Sequence, residues 1–153
     1  MIMATRSEIN LLFKMLGSEP KLDVLSDRKK LQKLVYLSQV VGIDLDFPFT
    51  WYIYGPYSSN LTRVVFGEKQ GSSSNFSDST TNKRKIELLK SILGEMINSS
   101  DKLELIASIH YVLTLAKKQK ISEDKVKSTV KDLKPQFEKK EIEECLIIAK
   151  KLP

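Results

Sequence analysis

One segment, at about residues 101–117, constrains the fold of this chain more than any other because it is apolar on two helical stripes. The stripes consist of Leu103, Ile106, His110 and Leu113, and of Leu105, Ile109, Val112 and Ala116. A helix that is apolar nearly all round must be covered on most sides by other elements. The chain is therefore predicted to be a helical bundle with this helix at its centre.

Helical spacing of apolar residues also recurs along most of the remaining chain. It is found at about residues 5–16, 27–41, 59–66, 83–97, 122–134 and 142–152. Thr5 or Ser7 is predicted to cap the first of these helices, and Ser26 or Asp27 the second. A chain of 153 residues can bury one core without a disulfide or a metal. The predicted fold class is mainly α, a single compact helical domain of six to seven helices over residues 1–153.

One short strand, or a small hairpin, is expected at residues 49–54, where β-branched and aromatic side chains follow one another. Alternation places Phe49, Trp51 and Ile53 on one face, which is expected to join the core. The other face carries Tyr52 and Tyr54. Gly55-Pro56 is predicted to end the strand because proline lacks the N–H that a sheet ladder needs.

Residues 67–82 are the one low-complexity segment, rich in Ser, Thr and Asn. Such a composition cannot bury enough apolar surface to hold one conformation. A flexible loop is therefore predicted here. Lys83, Arg84 and Lys85 follow it.

The second helix begins with Arg28, Lys29, Lys30 and Lys33, in a chain with a net charge of +6. Positive charges at a helix N-terminus are unfavourable to the helix dipole, and three negative charges could offset them: Asp27 locally, an acidic partner or phosphate. A solvated helix face is the simpler interpretation. Both stay open at this point.

Few enzymatic chemistries are compatible with this composition. The chain has one histidine, His110, and one cysteine, Cys145, so neither a Cys/His zinc site nor a Cys–His nucleophile is supported. No glycine-rich phosphate motif is present. Asp44 and Asp46 have no evident third ligand. We expect no catalytic residues, no metal and no cofactor.

The location of the protein is predicted from the same composition. No apolar run approaches the roughly 18 residues that span a bilayer. The single cysteine cannot form an internal disulfide, which is typical of a reducing compartment. A cytoplasmic protein without membrane contact is therefore expected.

The pattern of Arg28–Leu37 followed by Tyr54-Gly55-Pro56-Tyr57-Ser58-Ser59-Asn60-Leu61 resembles the YwgA-like proteins. More distantly it is similar to the Panacea domain of SocA-like and GepA-like proteins. The resemblance continues at residues 103–111 and 133–137. It implies a small, mainly helical protein without known catalytic residues. The Panacea domain further implies an antitoxin that contacts a toxin directly, or a protease adaptor.

The leading hypothesis is a non-enzymatic interaction protein that binds a protein partner. Its predicted partner-binding residues are Trp51, Tyr52, Tyr54, Gly55, Pro56 and Tyr57, because tyrosine and tryptophan suit surfaces that are part apolar and part wet. A homodimer through the closing helix is a further possibility.

The alternative hypothesis is a winged-helix-like DNA-binding protein. Its nucleic-acid-binding residues would be Arg28, Lys29, Lys30, Lys33, Lys83, Arg84 and Lys85. An enzyme of unknown class ranks third.

Overall fold

Seven α-helices and one two-stranded hairpin form the described part of the chain, residues 2–67, 70 and 76–153 of a computed structural model. The helices are α1 (Arg6–Leu16), α2 (Leu25–Val40), α3 (Ser59–Val65), α4 (Thr80–Leu93), α5 (Ser100–Gln119), α6 (Glu123–Leu133) and α7 (Lys139–Lys150). A 3-10 segment, Gly94–Asn98, joins α4 to α5. The mainly helical fold class is confirmed. Within these residues, none of the helices combines the length and apolar character needed to cross a membrane.

Helix α5 is the centre of the bundle, as its two apolar stripes predict. It packs against α2, α6, α7 and the hairpin. Every residue from Leu103 to Ile109 is buried, and so are Leu113 and Ala116. One of these buried residues, Glu104, is charged. Its surroundings define the site described below.

Local signals set most helix ends. Thr5 and Glu8 form a reciprocal capping box at the start of α1, and Ser122 caps α6. The predicted cap of α2 at Ser26 or Asp27 is wrong. Helix α2 begins at Leu25, with Val24 in the cap position and no side-chain cap. Asp27 instead lies within the first turn, where a negative charge favours the helix dipole.

The hairpin differs from the predicted strand in extent. Strand β1 covers Thr50–Tyr52 and β2 covers Gly55–Tyr57, paired antiparallel with Thr50 opposite Tyr57. Gly55-Pro56 thus opens a second strand instead of ending the first. Ile53 lies in the turn between them and is exposed, so its predicted place in the core is wrong. Side chains alternate between the two faces only within a strand, and β1 ends at Tyr52, before Ile53.

The predicted loop at 67–82 is shorter at its C-terminal end. Residues 80–82 belong to α4, because the Ser79 hydroxyl accepts a hydrogen bond from the Asn82 amide and caps the helix. Phe76 is buried. Residues 68, 69 and 71–75 of the predicted loop lie outside the described residues.

Candidate functional site

A groove of about 360 Å³ lies between the first turns of α2, the hairpin and α3. It is mostly apolar, and several of its walls carry large exposed side chains. Its lining consists of Leu22, Leu25, Arg28, Lys29, Leu31, Gln32, Lys33, Tyr52, Ile53, Tyr54, Tyr57, Thr62, Val65 and Phe66. Concave, mostly apolar sites with a few polar groups are typical of ligand and peptide binding.

The groove concentrates the exposed apolar surface of the protein. Twelve large apolar side chains are exposed in the described part of the chain, and five of them line this groove. They are Leu25, Tyr52, Ile53, Tyr54 and Phe66. Ile53, at the hairpin turn, is 69% exposed. Contiguous exposed apolar surface of this kind marks interaction sites, whereas single exposed residues are ordinary.

Beneath the groove lies a charged cluster. It is formed by the buried side chains of Lys33, Glu104 and Lys134, by the half-buried Lys29 and by the exposed Asp101. The Glu104 carboxylate accepts hydrogen bonds from Lys29 Nζ at 2.9 Å and from Lys134 Nζ at 2.6 Å. Lys29 Nζ also donates to Asp101 at 2.7 Å. Glu104 and Lys134 are each 2% exposed. A buried carboxylate is tolerated only when it is paired in this way.

Lys33 has a different partner from the other lysines of the cluster. Its Nζ donates to the carbonyl oxygen of Pro56 at 2.6 Å, and no carboxylate of the described residues forms an ion pair with it. Burial lowers the pKa of Lys33 to about 7. The Glu104 charge opposes this shift, and the charges of Lys134 and Lys29 add to it.

The pKa of Lys29 shifts in the opposite direction from that of Lys33. Burial alone would lower its pKa, but the hydrogen bonds and charges of Asp101 and Glu104 outweigh burial and raise it. Lys29 therefore remains a cation at neutral pH, whereas Lys33 is poised to titrate.

Aromatic rings of the hairpin cover two of these ammonium groups. Lys29 Nζ lies 5.4 Å from the centre of the Tyr54 ring, and Lys134 Nζ lies 5.6 Å from the centre of the Trp51 ring. Such contacts stabilise a cation by about 0.5–2 kcal/mol. The hairpin thus forms the roof of the charged cluster and, on its outer side, one wall of the groove.

Hydrogen bonds of Gln32 hold the opposite wall of the groove. Its side-chain amide donates to the Ser58 carbonyl and to the Thr62 hydroxyl, both at 3.0 Å, and its oxygen accepts from the Ser58 amide at 2.9 Å. The Tyr57 and Thr62 hydroxyls share a hydrogen bond of 2.8 Å. These contacts fix the start of α3 against α2. The shape of the groove is therefore set by buried polar contacts.

The six predicted partner-binding residues fall into two groups. Tyr52, Tyr54 and Tyr57 line the groove. Gly55 and Pro56 are buried beneath it, and Trp51 is half-buried against Tyr111 and Lys134. The first group can contact a ligand, while the second supports the surface from behind.

The seven basic residues of the nucleic-acid hypothesis also separate. Lys29 and Lys33 belong to the charged cluster, where Lys33 is buried and Lys29 half-buried. Arg28 is exposed and Lys30 is half-buried, and neither belongs to the cluster. Lys83, Arg84 and Lys85 lie in the first turns of α4, and Lys85 Nζ donates to the Gly42 carbonyl at 3.0 Å. Gly42 follows the end of α2. At about 1.5 Å per residue, that end lies about 17 Å from Lys29.

The remaining reactive side chains are packed in ordinary surroundings. His110 Nδ1 shares a hydrogen bond of 2.9 Å with the Tyr36 hydroxyl, and burial lowers the pKa of the imidazole. Cys145 is buried, which raises its pKa to about 11 and leaves it a thiol. Over residues 2–67, 70 and 76–153, no three His, Cys, Asp or Glu side chains are grouped to hold a metal ion.

Glu104, Lys134 and Gln32 are site residues that the sequence prediction missed. The sequence did contain an indication that Glu104 is a site residue, because this charged residue interrupts the apolar run Leu103–Ile109 of the central helix. A carboxylate at such a position must find a cation inside the fold. Lys134 carries no comparable signal because it lies among many surface lysines.

Comparisons with protein-family models, with curated proteins and with solved structures give no match for this chain. The resemblance to the YwgA-like group and to the Panacea domain stays a prediction. The groove is therefore interpreted from its own geometry.

The low pKa of Lys33 predicts how stability depends on pH. Its folded pKa of about 7 lies below the ordinary 10.5, so between these values the unfolded chain binds more protons. Stability then rises with pH, by up to about 1.4 kcal/mol per pH unit. We expect the wild-type protein to gain free energy of unfolding relative to Lys33→Met between pH 7 and 9, measured by urea denaturation.

Lys30→Met is the matched control, because it removes the same charge from the same helix. It should show no such pH-dependent difference from the wild type. A stability difference between wild type and Lys33→Met that stays constant over this range would mean that Lys33 is fully charged in the fold.

Proposed function

We propose that this protein is a non-enzymatic interaction protein that binds a segment of a partner protein in the groove between α2, the hairpin and α3. The concentration of exposed apolar side chains around the groove carries this proposal. Tyr52, Tyr54 and Tyr57 supply rings that bury large area at little entropic cost, which favours them at interfaces.

The support beneath the groove adds to the proposal. Gln32 and Ser58 fix one wall, and the contacts of Lys29 with Glu104 and Tyr54 fix the other. A binding surface that is ordered before its ligand arrives loses less entropy on binding. A regulatory or adaptor role requires this kind of preformed surface and no catalytic group.

Nucleic-acid binding has weaker support. A phosphate-binding surface needs cations gathered on one face. Here two of the seven predicted cations are engaged in the charged cluster, and Lys83–Lys85 lie near the far end of α2. Binding to labelled duplex DNA that weakens steeply with added salt would favour this alternative over the groove.

Site-specific photo-cross-linking tests the proposed function. A photoreactive benzoylphenylalanine at Ile53 should yield a discrete protein adduct in cells of the organism that encodes the chain, because Ile53 stands at the rim of the groove. Ile147→benzoylphenylalanine is the matched control. Ile147 is a similarly exposed isoleucine, at 61%, and it lies on α7 away from the groove.

The adduct should require the groove itself. We expect Tyr54→Ala, introduced beside the cross-linker, to reduce its yield strongly while the protein stays folded by circular dichroism. Equal labelling from Ile53 and Ile147, or no adduct from Ile53, would contradict the proposal. An adduct of twice the mass of the chain would assign the groove to self-association instead.

A further inference from the structure

The hydrogen bonds of the hairpin leave one of its two edges open. Trp51 lies opposite Pro56, and proline has no N–H, so this pair cannot exchange two hydrogen bonds. The ladder bonds therefore belong to the pairs on either side, which include Thr50 and Tyr52. Because backbone groups alternate in direction along an antiparallel strand, the N–H and C=O of Trp51 point away from β2.

The surroundings of β2 agree with this register. The Pro56 carbonyl points away from β1 and accepts the hydrogen bond of Lys33 Nζ at 2.6 Å. Gly55 lies so close to α5 that an added Cβ would overlap with the Ser108 hydroxyl. Strand β2 is thus held on α2 and α5 and has no room for another strand beside it.

The outer edge of β1 has no such cover in the described part of the chain. Strand β1 packs mainly on β2, and Thr50 and Tyr52 are exposed. Among residues 2–67, 70 and 76–153, none forms a hydrogen bond with the N–H or C=O of Trp51. An unpaired strand edge is a template on which another strand can pair.

The sequence of this edge lacks the features that normally prevent such pairing. Natural edge strands often carry a charge, especially lysine, or a proline that blocks the approach of another strand. No charged residue occurs between Asp46 and Arg63, and β1 contains no proline. Its length of three residues is the remaining limit on pairing. The edge is therefore open to a partner strand.

We propose that the partner segment binds in an extended conformation, as a third strand on the outer edge of β1, with its backbone paired to the N–H and C=O of Trp51. This inference rests on the proposed function and names the way in which the same surface recognises its partner. Tyr52 and Tyr57 share one face of the hairpin, with ring centres 5.5 Å apart, and both line the groove. Every second side chain of the added strand would lie on that face, beside Tyr52.

The two faces of the edge indicate the side chains that the partner strand carries. On the groove face they meet Tyr52 and Ile53, which are 58% and 69% exposed, and on the other face they meet the half-buried Trp51. Both surroundings are apolar, so β-branched and aromatic residues suit the partner strand. A partner helix could cover the same side chains, but it would leave the Trp51 backbone groups unpaired. The exposed edge therefore favours an extended segment.

Hydrogen exchange of single amides, measured by NMR on the wild-type protein, tests the pairing. The Tyr52 N–H belongs to the ladder and should be protected in the free protein, whereas the Trp51 N–H should exchange rapidly. A peptide selected against the protein from a random phage-displayed library is then added at saturation. We expect exchange at Trp51 to slow about tenfold or more, with a smaller change at Tyr52, the internal control.

Backbone N-methylation of the same peptide gives a second test. Alternate N–H groups of an added strand point toward β1, so methylation should weaken binding about tenfold at every second position and little at the positions between. Fluorescence anisotropy measures the affinities. A helical peptide would lose affinity at successive interior positions, because each N–H there belongs to the helix.

The outcomes separate this inference from the proposed function. A peptide whose binding is lost in Ile53→Asp but kept in Ile147→Asp shows that the groove is used. If such a peptide leaves exchange at Trp51 unchanged, or shows no alternation on methylation, the inference is overturned and the proposed function stands. Selection of no peptide, or of peptides insensitive to Ile53→Asp, would overturn both. Protection of Trp51 in the protein alone that rises with protein concentration would assign the edge to a second copy of the chain and also overturn the inference.

Discussion

Replacing Glu104 by alanine is expected to lower the free energy of unfolding by about 3–5 kcal/mol. The substitution removes the carboxylate that Lys29 and Lys134 share and leaves Lys134 as a buried cation. The Trp51 ring can offset only a small part of that loss. Urea denaturation at neutral pH measures the effect as a lower midpoint at unchanged slope.

Two variants test whether the loss comes from the unpaired charge. Asp101→Asn also removes a carboxylate partner of Lys29, but its exposed position limits the expected loss to about 1 kcal/mol or less. The double variant Glu104→Met with Lys134→Met should recover much of the stability, because well-packed apolar residues can replace a buried ion pair. A double variant as unstable as Glu104→Ala would refute the unpaired Lys134 charge as the cause of the loss.

Gly55→Ala is expected to destabilise the protein by about 3 kcal/mol. Gly55 has a φ of +92°, a conformation that side chains with a Cβ rarely adopt. It also lies directly on the central helix, so that an added Cβ would overlap with the Ser108 hydroxyl. The hairpin would have to lift from α5, which would displace the Pro56 carbonyl from Lys33. Thermal and urea denaturation measure the loss.

Gly17→Ala separates the two causes of this loss. Gly17 has a φ of +73°, but apart from its chain neighbours no atom of the described residues lies within 4 Å of an added Cβ, so the substitution carries the backbone strain alone. It should cost about 1–2 kcal/mol. Adding Ser108→Ala to Gly55→Ala should recover part of the difference, because none of the described residues forms a hydrogen bond with the Ser108 hydroxyl. Equal costs at Gly55 and Gly17 would refute the close contact with α5.

The central helix could be predicted because its signal is local. Two apolar stripes within residues 101–117 are enough to place α5 inside the bundle, and Thr5 and Ser122 mark helix starts by their own hydroxyl groups. The extent of the hairpin was less predictable. It depends on Gly55 fitting against Ser108, which is 53 residues further along the chain.

The interior role of the basic helix could not be predicted for the same reason. Lys29, Gln32, Lys33 and Tyr36 follow the spacing i, i+3, i+4 and i+7, so they share one face of α2. A polar face of this kind is normally solvated. This face turns inward here because Glu104 of α5 lies opposite it. Lys29 and Glu104, which form the contact, are 75 positions apart in the chain. Local spacing carries no information about such a counter-charge.

The charged cluster also limits how related sequences can diverge. Loss of Glu104 alone leaves buried cations, and loss of Lys134 alone leaves Glu104 with fewer partners. Each single step consumes a large share of the 5–15 kcal/mol that stabilises a typical domain. Lys29, Glu104 and Lys134 are therefore expected to be inherited together or replaced together, whereas the rim residues of the groove can change one at a time as partners change.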